Sequence, residues 1–197
     1  MTDRCGEIIA TNTSSFVAES YTLHQPPPLG SLVYVQPTTG QPIYAVVSFG
    51  NTGGLDPGRR VVRRSTEDTF DSAIYQQHPQ LVKTLRTEFS ALLVGYRDAL
   101  GRLRRHLPSQ PPPLHYSVLP CDLPTLTAFS EQMTYFRLLL AAQGELPTEQ
   151  LLAAHIRQTY TLRGNDLPWL ARAAREVSTL LQAESARLLT VLYDIEP

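Results

Sequence analysis

Residues 5–50 contain four short segments typical of β-strands, joined by connections rich in glycine, proline, serine and threonine. The segments are 6–12, 16–23, 31–36 and 43–50. β-Branched and aromatic residues fit a pleated, half-buried surface, and glycine or proline clusters between such runs favour tight connections. The fourth segment is apolar on both faces except at Ser48, which is typical of a strand buried on both sides. This stretch predicts a sheet of several strands against which the other elements pack.

Two further strand-like segments predict that the sheet closes on itself. They are 88–96, which is again apolar on both faces, and 114–120, in which apolar and polar residues alternate. Between 67 and 86 a helical pattern is interrupted by Pro79, which predicts two short helices. Six short strands favour a small closed barrel over an open sheet, because closure removes exposed edges. We therefore predict a six-stranded β-barrel over 1–121 with a helical insertion over 67–86.

The apolar pattern changes from the period of a strand to that of a helix after Cys121. Three segments, 125–143, 147–163 and 166–192, carry apolar residues at helical spacing. Only the four residues 121–124 join them to the predicted barrel, which is too short and stiff a connection for an independent module. The predicted fold class is therefore α+β, with a three-helix unit over 122–197 packed on the barrel.

Composition and charge favour an ordinary globular protein. The chain has 197 residues and a net charge of −1, so it has no overall field that would steer it to nucleic acid or acidic lipid. Its two cysteines, Cys5 and Cys121, are too few for a disulfide framework and fit a reducing compartment. The sequence shows no signal peptide and no apolar run of about 18 residues. We expect a cytoplasmic protein that does not insert into a membrane.

Several groups of glycine and apolar positions carry a resemblance to a known barrel. They are Gly6-Glu7-Ile8-Ile9, Ser15-Phe16-Val17-Ala18, Leu29-Gly30-Ser31-Leu32-Val33 and Ala45-Val46-Val47, with Val94-Gly95-Tyr96, Pro111-Pro112-Pro113 and Leu114 to Pro120 as closing segments. These positions resemble the HAS-barrel, the small six-stranded barrel at the N-terminus of HerA-type DNA-translocating ATPases and of ATP synthase subunits. The resemblance covers about residues 5–121. The overall pattern is similar to short cyanobacterial proteins that carry such a barrel without an ATPase domain.

The resemblance implies a role in assembly or docking and carries no catalytic residue across. In those ATPases the barrel precedes a nucleotide domain whose P-loop needs a lysine directly after a glycine. The only lysine here, Lys83, lies between Val82 and Thr84, so a P-loop is absent. In the family the barrel makes ring contacts between subunits and docks partners. The expected partner is therefore a protein, with a homo-oligomer as an alternative.

Reactive side chains show no spacing typical of a catalytic or metal site. The five histidines form no HExxH pair, the cysteines form no CxxC pair, and no G-x-S-x-G motif occurs. Cys121 would be a nucleophile only if the fold brought it a histidine, such as His115, and an acid. The glycine-rich run 50–54 follows a strand into a loop, which is a weak signal for a phosphate site. We predict that the chain is not an enzyme and holds no cofactor or metal ion.

The arginines give the clearest indication of a binding surface. The chain has 16 arginines, and eight of them fall in two loops, 59–64 and 97–105. If the fold brings these loops side by side, they form a surface that recognises anions. The candidate partner-binding residues are Arg59, Arg60, Arg63, Arg64, Arg97, Arg102, Arg104 and Arg105.

Three functional hypotheses follow, together with an interpretation that needs no partner. The first is a non-enzymatic scaffold or adaptor that uses the barrel for protein–protein assembly. The alternative is an accessory factor that binds nucleic acid through the arginine loops, and a hydrolase with an unrecognised site is the third. Solvated loops balanced by Glu67, Asp68 and Asp71 would explain the arginines without a partner.

Overall fold

The computed structural model describes residues 4–38, 40–56, 58 and 60–196. Its strands are β1 (Gly6–Thr11), β2 (Ser15–Ser20), β3 (Leu32–Val35), β4 (Ile43–Gly54), β5 (Leu85–Arg97), β6 (Leu103–Arg104) and β7 (Ser117–Pro120). Its helices are α1 (Ser72–Gln77), α2 (Leu81–Thr84), α3 (Leu123–Ser130), α4 (Phe136–Leu140), α5 (Thr148–Leu162), α6 (Leu167–Leu180) and α7 (Ser185–Asp194). The described helices include none long and apolar enough to cross a membrane.

Six of the strands close into an antiparallel barrel, as the sequence predicts. Around the barrel the order is β1, β2, β5, β4, β3 and β7, and β7 pairs again with β1. At the closing pair Gly6 lies opposite Val118, and the amide of Cys5 donates to the carbonyl oxygen of Val118 at 3.0 Å. Strand β6 is an addition of two residues that forms a hairpin with β5. Each of the six segments predicted as strands overlaps one strand of the barrel.

Strands β4 and β5 are covered on both faces, which confirms the interpretation of their continuous apolar runs. Ala45 and Val47 belong to the cluster that fills the barrel interior. Tyr44 and Val46 alternate with them and face outward, where they join the core formed with the C-terminal helices. β4 is also longer than predicted and continues to Gly54, because residues 50–54 pair with Leu85–Phe89 of β5.

The C-terminal helical segments are present, but the first and third are each split in two. The break after α3 has a visible cause in side chains from other elements. The indole Nε1 of Trp169 donates to the carbonyl oxygen of Ser130 at 2.9 Å, and the guanidinium of Arg105 binds the carbonyl oxygens of Ala128 and Phe129. These carbonyls at the end of α3 therefore find partners without a continued helix. α5 is continuous.

One core joins the C-terminal helices to the outer face of the barrel. Its largest side chains are fully buried and include Tyr44 of β4, Phe129 of α3, Phe136 of α4 and Trp169 of α6. The rings of Tyr44 and Phe129 pack with their centroids 4.9 Å apart. The prediction that the helices pack on the barrel and that Phe129 and Phe136 are buried is confirmed.

Residues 55–84 join β4 to β5, and we call them the connecting arm. The arm contains the two short helices α1 and α2, which are separated at His78-Pro79 as predicted. Neither helix buries a side chain, and among the described residues of the arm only Thr69 is buried. The hydroxyl of Tyr75 in the arm makes a 2.6 Å hydrogen bond with Nε2 of His24, which lies in the connection between β2 and β3.

Candidate functional site

The first arginine group lies on the connecting arm and is exposed to solvent. Arg60, Arg63 and Arg64 are all exposed, and Arg59 lies outside the described residues. The ion pairs formed within the described part of the chain include none of these three guanidinium groups. Guanidinium groups in this state keep all their donors available for an anion. These three arginines of the first group are thus accessible, as the binding hypothesis requires.

The arm runs beside the ends of β4 and β5 and forms a cleft with them. This cleft has a volume of about 310 Å³. Its apolar walls come from both sides, with Val62 on the arm, Leu81 on α2 and Leu85 at the start of β5. Arg60 and Arg64 also line it. We call this space the arm cleft, and it combines an apolar wall with two guanidinium groups.

A second cleft adjoins the first and is more polar. Its volume is about 430 Å³, and it shares Arg60 and Asp56 with the arm cleft. Arg86 and Glu88 line it from β5, and their side chains form an ion pair at 3.0 Å. Because Arg86 is paired with Glu88, the second cleft offers an anion one arginine outside the ion pairs of the described residues, Arg60, whereas the arm cleft offers two. Asp56, the acidic residue shared by both clefts, accepts a hydrogen bond from the Gly58 amide at 2.9 Å.

Large apolar side chains are exposed along the arm at several points. Between 51% and 62% of the surface of each of five residues is accessible, which leaves most of these side chains in water. The five are Leu55, Val61, Val62, Phe70 and Val82. Exposed apolar side chains that occur singly are normal, but several within one segment mark an interaction surface.

The second arginine group is bound within the fold rather than free. After β5 the chain turns at Asp98, whose carboxylate accepts hydrogen bonds from the side chains of Arg102 and Arg104, each at 2.9 Å. Arg97 donates to the carbonyl oxygen of Gly101 at 2.9 Å. Desolvation opposes ionisation of Asp98, but the hydrogen bonds from Arg102 and Arg104 outweigh it and lower the pKa of that carboxyl to about 2. These arginines therefore hold the β5–β6 hairpin together.

Arg105 connects this hairpin to helix α3. Its Nε and Nη2 each lie 2.8 Å from a carbonyl oxygen of the last turn of α3, those of Phe129 and Ala128. Its guanidinium also lies over the Phe129 ring, 5.4 Å from the ring centroid. A cation at a helix C-terminus satisfies carbonyls that lack a partner and interacts favourably with the helix dipole. Arg105 thus has a structural role that its position in a basic loop did not indicate.

The two arginine groups lie at opposite ends of β5 and do not share a surface. Arg60 and Arg64 line a cleft with Leu85, the first residue of the strand, whereas Arg97 is its last residue. A strand rises by about 3.3 Å per residue, so the twelve steps between these ends span roughly 40 Å. Among the described residues, the two loops therefore do not lie side by side and do not form one anion-recognising surface.

Histidines and cysteines are engaged in separate contacts. His24 binds Tyr75, His115 binds Glu7 at 2.8 Å, and His155 is buried between Gly30 and Tyr135. Both thiols are free. Burial raises the pKa of the Cys5 thiol to about 11 and raises that of Cys121 further, so both stay protonated at neutral pH. Within the described residues, no group of three or more His, Cys, Asp or Glu could hold a metal ion.

Two comparisons with known proteins were negative. No protein-family model matches the chain, and no curated protein matches it. The resemblance to the HAS-barrel and to short cyanobacterial proteins therefore stays a prediction. The structure confirms the predicted closed six-stranded barrel with helices packed on it.

Proposed function

We propose that the chain is a non-enzymatic adaptor that binds a protein partner through the connecting arm. The observation that carries the proposal is the contrast between the arm and the remainder of the fold. Among its described residues the arm exposes five large apolar side chains and buries none, whereas the barrel and the C-terminal helices, which expose apolar side chains as well, form two extensive buried cores. An exposed apolar segment rimmed by charged residues is typical of a protein interaction site.

The remainder of the fold supports the arm as a rigid base. The arm departs from β4 and returns to β5, the two strands covered on both faces. Beyond their covered middle sections these strands stay paired, with residues 50–54 opposite Leu85–Phe89, so the two ends of the arm are held side by side. The free, half-buried thiols of Cys5 and Cys121 fit a reducing compartment, and we propose the cytoplasm as the location.

The alternative, binding of nucleic acid through both arginine loops, has less support. Binding to a phosphate backbone requires several cations along one surface. Here the second group is committed to Asp98 and to helix α3, at the other end of β5. The arginines that are accessible lie beside aliphatic side chains, which favours a protein surface.

The proposal is tested by photo-crosslinking in the native cell. A photoreactive amino acid replaces Val62, and in a second variant Phe70, since both side chains are more than half exposed. The control carries it at Leu100, which is 75% exposed and lies in the turn at the other end of β5. We expect a discrete crosslinked protein with the arm variants and none with the control. A second copy of the chain in that adduct would identify a homo-oligomer.

Two results would count against the proposal. If neither arm variant forms a protein adduct, the arm is not a docking surface. If the adducts contain nucleic acid instead of protein, the alternative function is correct.

A further inference from the structure

We infer that the arm cleft takes an extended peptide segment in which acidic residues flank a large apolar side chain. The apolar side chain enters the cleft, and the carboxylates on either side pair with Arg60 and Arg64. This inference rests on the proposed function, because it specifies the chemistry of the partner.

The walls of the cleft are suited to an apolar side chain. Val62, Leu81 and Leu85 line it, and Val62 is 62% exposed, so its burial by a partner would remove apolar surface from water. The volume of about 310 Å³ is at the lower end of the range for ligand pockets. It is large enough for a single side chain and its backbone rather than for a folded domain.

The charges of the cleft are suited to carboxylates. Arg60 and Arg64 line it, and neither takes part in an ion pair within the described part of the chain. Asp56 is the acidic residue along the same cleft, so two positive charges face one negative charge. A guanidinium forms two parallel hydrogen bonds with a carboxylate, which gives both affinity and orientation.

The spacing of the two arginines indicates how far apart the carboxylates can be. Arg64 lies four steps along the chain from Arg60, and a chain spans at most about 3.5 Å per step. Their backbones are therefore no more than about 14 Å apart. An extended peptide covers the same backbone span in four steps, which leaves room for an apolar residue between two acidic ones, and the length of the arginine side chains allows wider carboxylate spacings as well.

Other anionic partners fit this surface less well. An anionic membrane would meet Phe70 beside Asp68 and Asp71, whose carboxylates an anionic surface repels. Single-stranded nucleic acid is bound by aromatic side chains on which its bases stack. The arm cleft is lined by aliphatic residues and has no aromatic wall in its described part. A peptide uses both the apolar wall and the arginines.

Fluorescence anisotropy with defined peptides and the full chain tests the inference. The probes are fluorescein-labelled peptides with two acidic residues on each side of one leucine, isoleucine, valine or phenylalanine. One control set replaces the apolar residue by serine, and another replaces the acids by their amides. We expect binding by the first set and affinities weaker by about tenfold or more for either control, because serine removes the apolar burial and the amides remove the charge-assisted contacts.

Matched variants of the protein locate the binding. Arg64→Glu and Val62→Asp should each weaken peptide binding about tenfold or more, because they remove a charge and an apolar wall of the cleft. Arg175→Glu and Leu189→Asp are the controls, since both residues are exposed on the C-terminal helices. Their affinities should equal that of the unaltered chain.

The inference is overturned if no acidic–apolar peptide binds, or if Arg64→Glu and Val62→Asp leave the affinity unchanged. It is also overturned if single-stranded DNA or phosphatidylserine vesicles bind in the same cleft and the peptides do not. Failure of the peptides together with a protein adduct at Val62 would reject the acidic–apolar partner and leave the adaptor function standing. Absence of the adduct would reject the adaptor function itself.

Discussion

The imidazole of His155 donates from Nδ1 to the carbonyl oxygen of Gly30 across 2.6 Å, and so joins helix α5 to the connection that enters β3. Because a carbonyl can only accept, Nδ1 carries the hydrogen. Nε2 is then left to accept from the Tyr135 hydroxyl at 2.8 Å. His155 and Tyr135 are fully buried. This neutral histidine therefore connects the barrel to two parts of the helical unit.

The burial of His155 predicts that the protein loses stability in mild acid. Desolvation lowers the pKa of this imidazole from 6.5 to about 4, while the hydrogen bond to Gly30 opposes the change. Between these values the unfolded chain binds a proton that the folded chain does not, so the free energy of unfolding falls as the pH falls. The expected slope approaches about 1.4 kcal/mol per pH unit.

Urea unfolding at several pH values between about 4.5 and 7 measures this slope. Carboxylates whose pKa is lowered in the fold, such as Asp98 and Glu149, contribute to the slope mainly below about pH 5, so the histidine dominates the upper part of this window. A His155→Gln variant, which has no titrating group at this position, serves as the control. We expect it to be less stable at pH 7 and to show a smaller slope. An unaltered chain whose stability is constant over the window would contradict the prediction.

Gly30 is predicted to tolerate no side chain. Its φ is +83°, and a Cβ atom there would lie 2.5 Å from the backbone nitrogen of His155. Gly101 has a similar φ of +77° but no atom within 4 Å of the same position. Gly101→Ala should cost about 1–2 kcal/mol of stability, the strain of the left-handed conformation alone. Gly30→Ala should cost a further 1–3 kcal/mol or so, because the backbones of the barrel connection and α5 must separate. Equal losses in denaturant unfolding would show that the contact is not tight.

Charge reversal should separate the two arginine groups by their effect on stability. Arg105→Glu places a carboxylate beside the carbonyl oxygens of Ala128 and Phe129, and we expect it to cost about 1.5–3 kcal/mol. Arg60→Glu changes an exposed side chain and should stay within about 0.5 kcal/mol. Thermal unfolding of the two single variants makes the comparison. Similar melting temperatures for both would mean that Arg105 does not stabilise α3.

The sequence predicts the barrel well because strand-forming residues lie close together along the chain. The two-sided apolar runs of β4 and β5 also indicate correctly that helices cover the barrel. The break after α3 was not predictable, because the groups that cap it, Arg105 and Trp169, come from other elements. His155 is a polar residue within an apolar helical face, and this pattern was the only sign of a buried imidazole. Its partner Gly30 could not be predicted, because it is 125 positions away.

The arginine groups show where sequence reasoning about the site ends. Both stretches contain clustered arginines beside turns, and sequence alone does not distinguish them. Three-dimensional contacts do so, because Asp98 and the last turn of α3 bind the second group, whereas Arg60 and Arg64 line an open cleft. The length of β5 then separates the two groups, and that separation depends on how β4 and β5 pair.

We predict that the chain does not hydrolyse nucleotides, because its glycine-rich run 50–54 does not form a phosphate site. These residues lie inside β4, where they pair with Leu85–Phe89, and no helix follows them to bind a phosphate at its N-terminus. Lys83 closes the short helix α2 and has no glycine beside it. We expect the purified chain to release no phosphate from ATP or GTP above the rate in buffer. Release that persists through purification and is lost in a Gly53→Val variant would contradict this prediction.

The barrel is predicted not to fold cooperatively without the C-terminal helices. Tyr44, Val46 and Val94 lie on the outer face of the barrel and are buried only because the helices cover them. Each such side chain would forfeit roughly 1.5–3 kcal/mol if it were left in water. Those losses are large relative to the total stability of about 5–15 kcal/mol that is usual for a domain. A chain ending at Asp122 should therefore lack a sharp melting transition and its near-ultraviolet circular dichroism.

Deletion of the connecting arm is the control. It shows whether the barrel needs the C-terminal helices or whether any shortening of the chain unfolds it. Replacing the connecting arm with a short Gly-Ser linker removes a segment in which, among the described residues, only Thr69 is buried. That variant keeps both cores, so we expect it to retain one cooperative transition for barrel and helices together. If the chain ending at Asp122 melts as sharply as the arm deletion, the barrel is an independent domain. The outer faces of β4 and β5 would then be stable without the C-terminal helices packed on them.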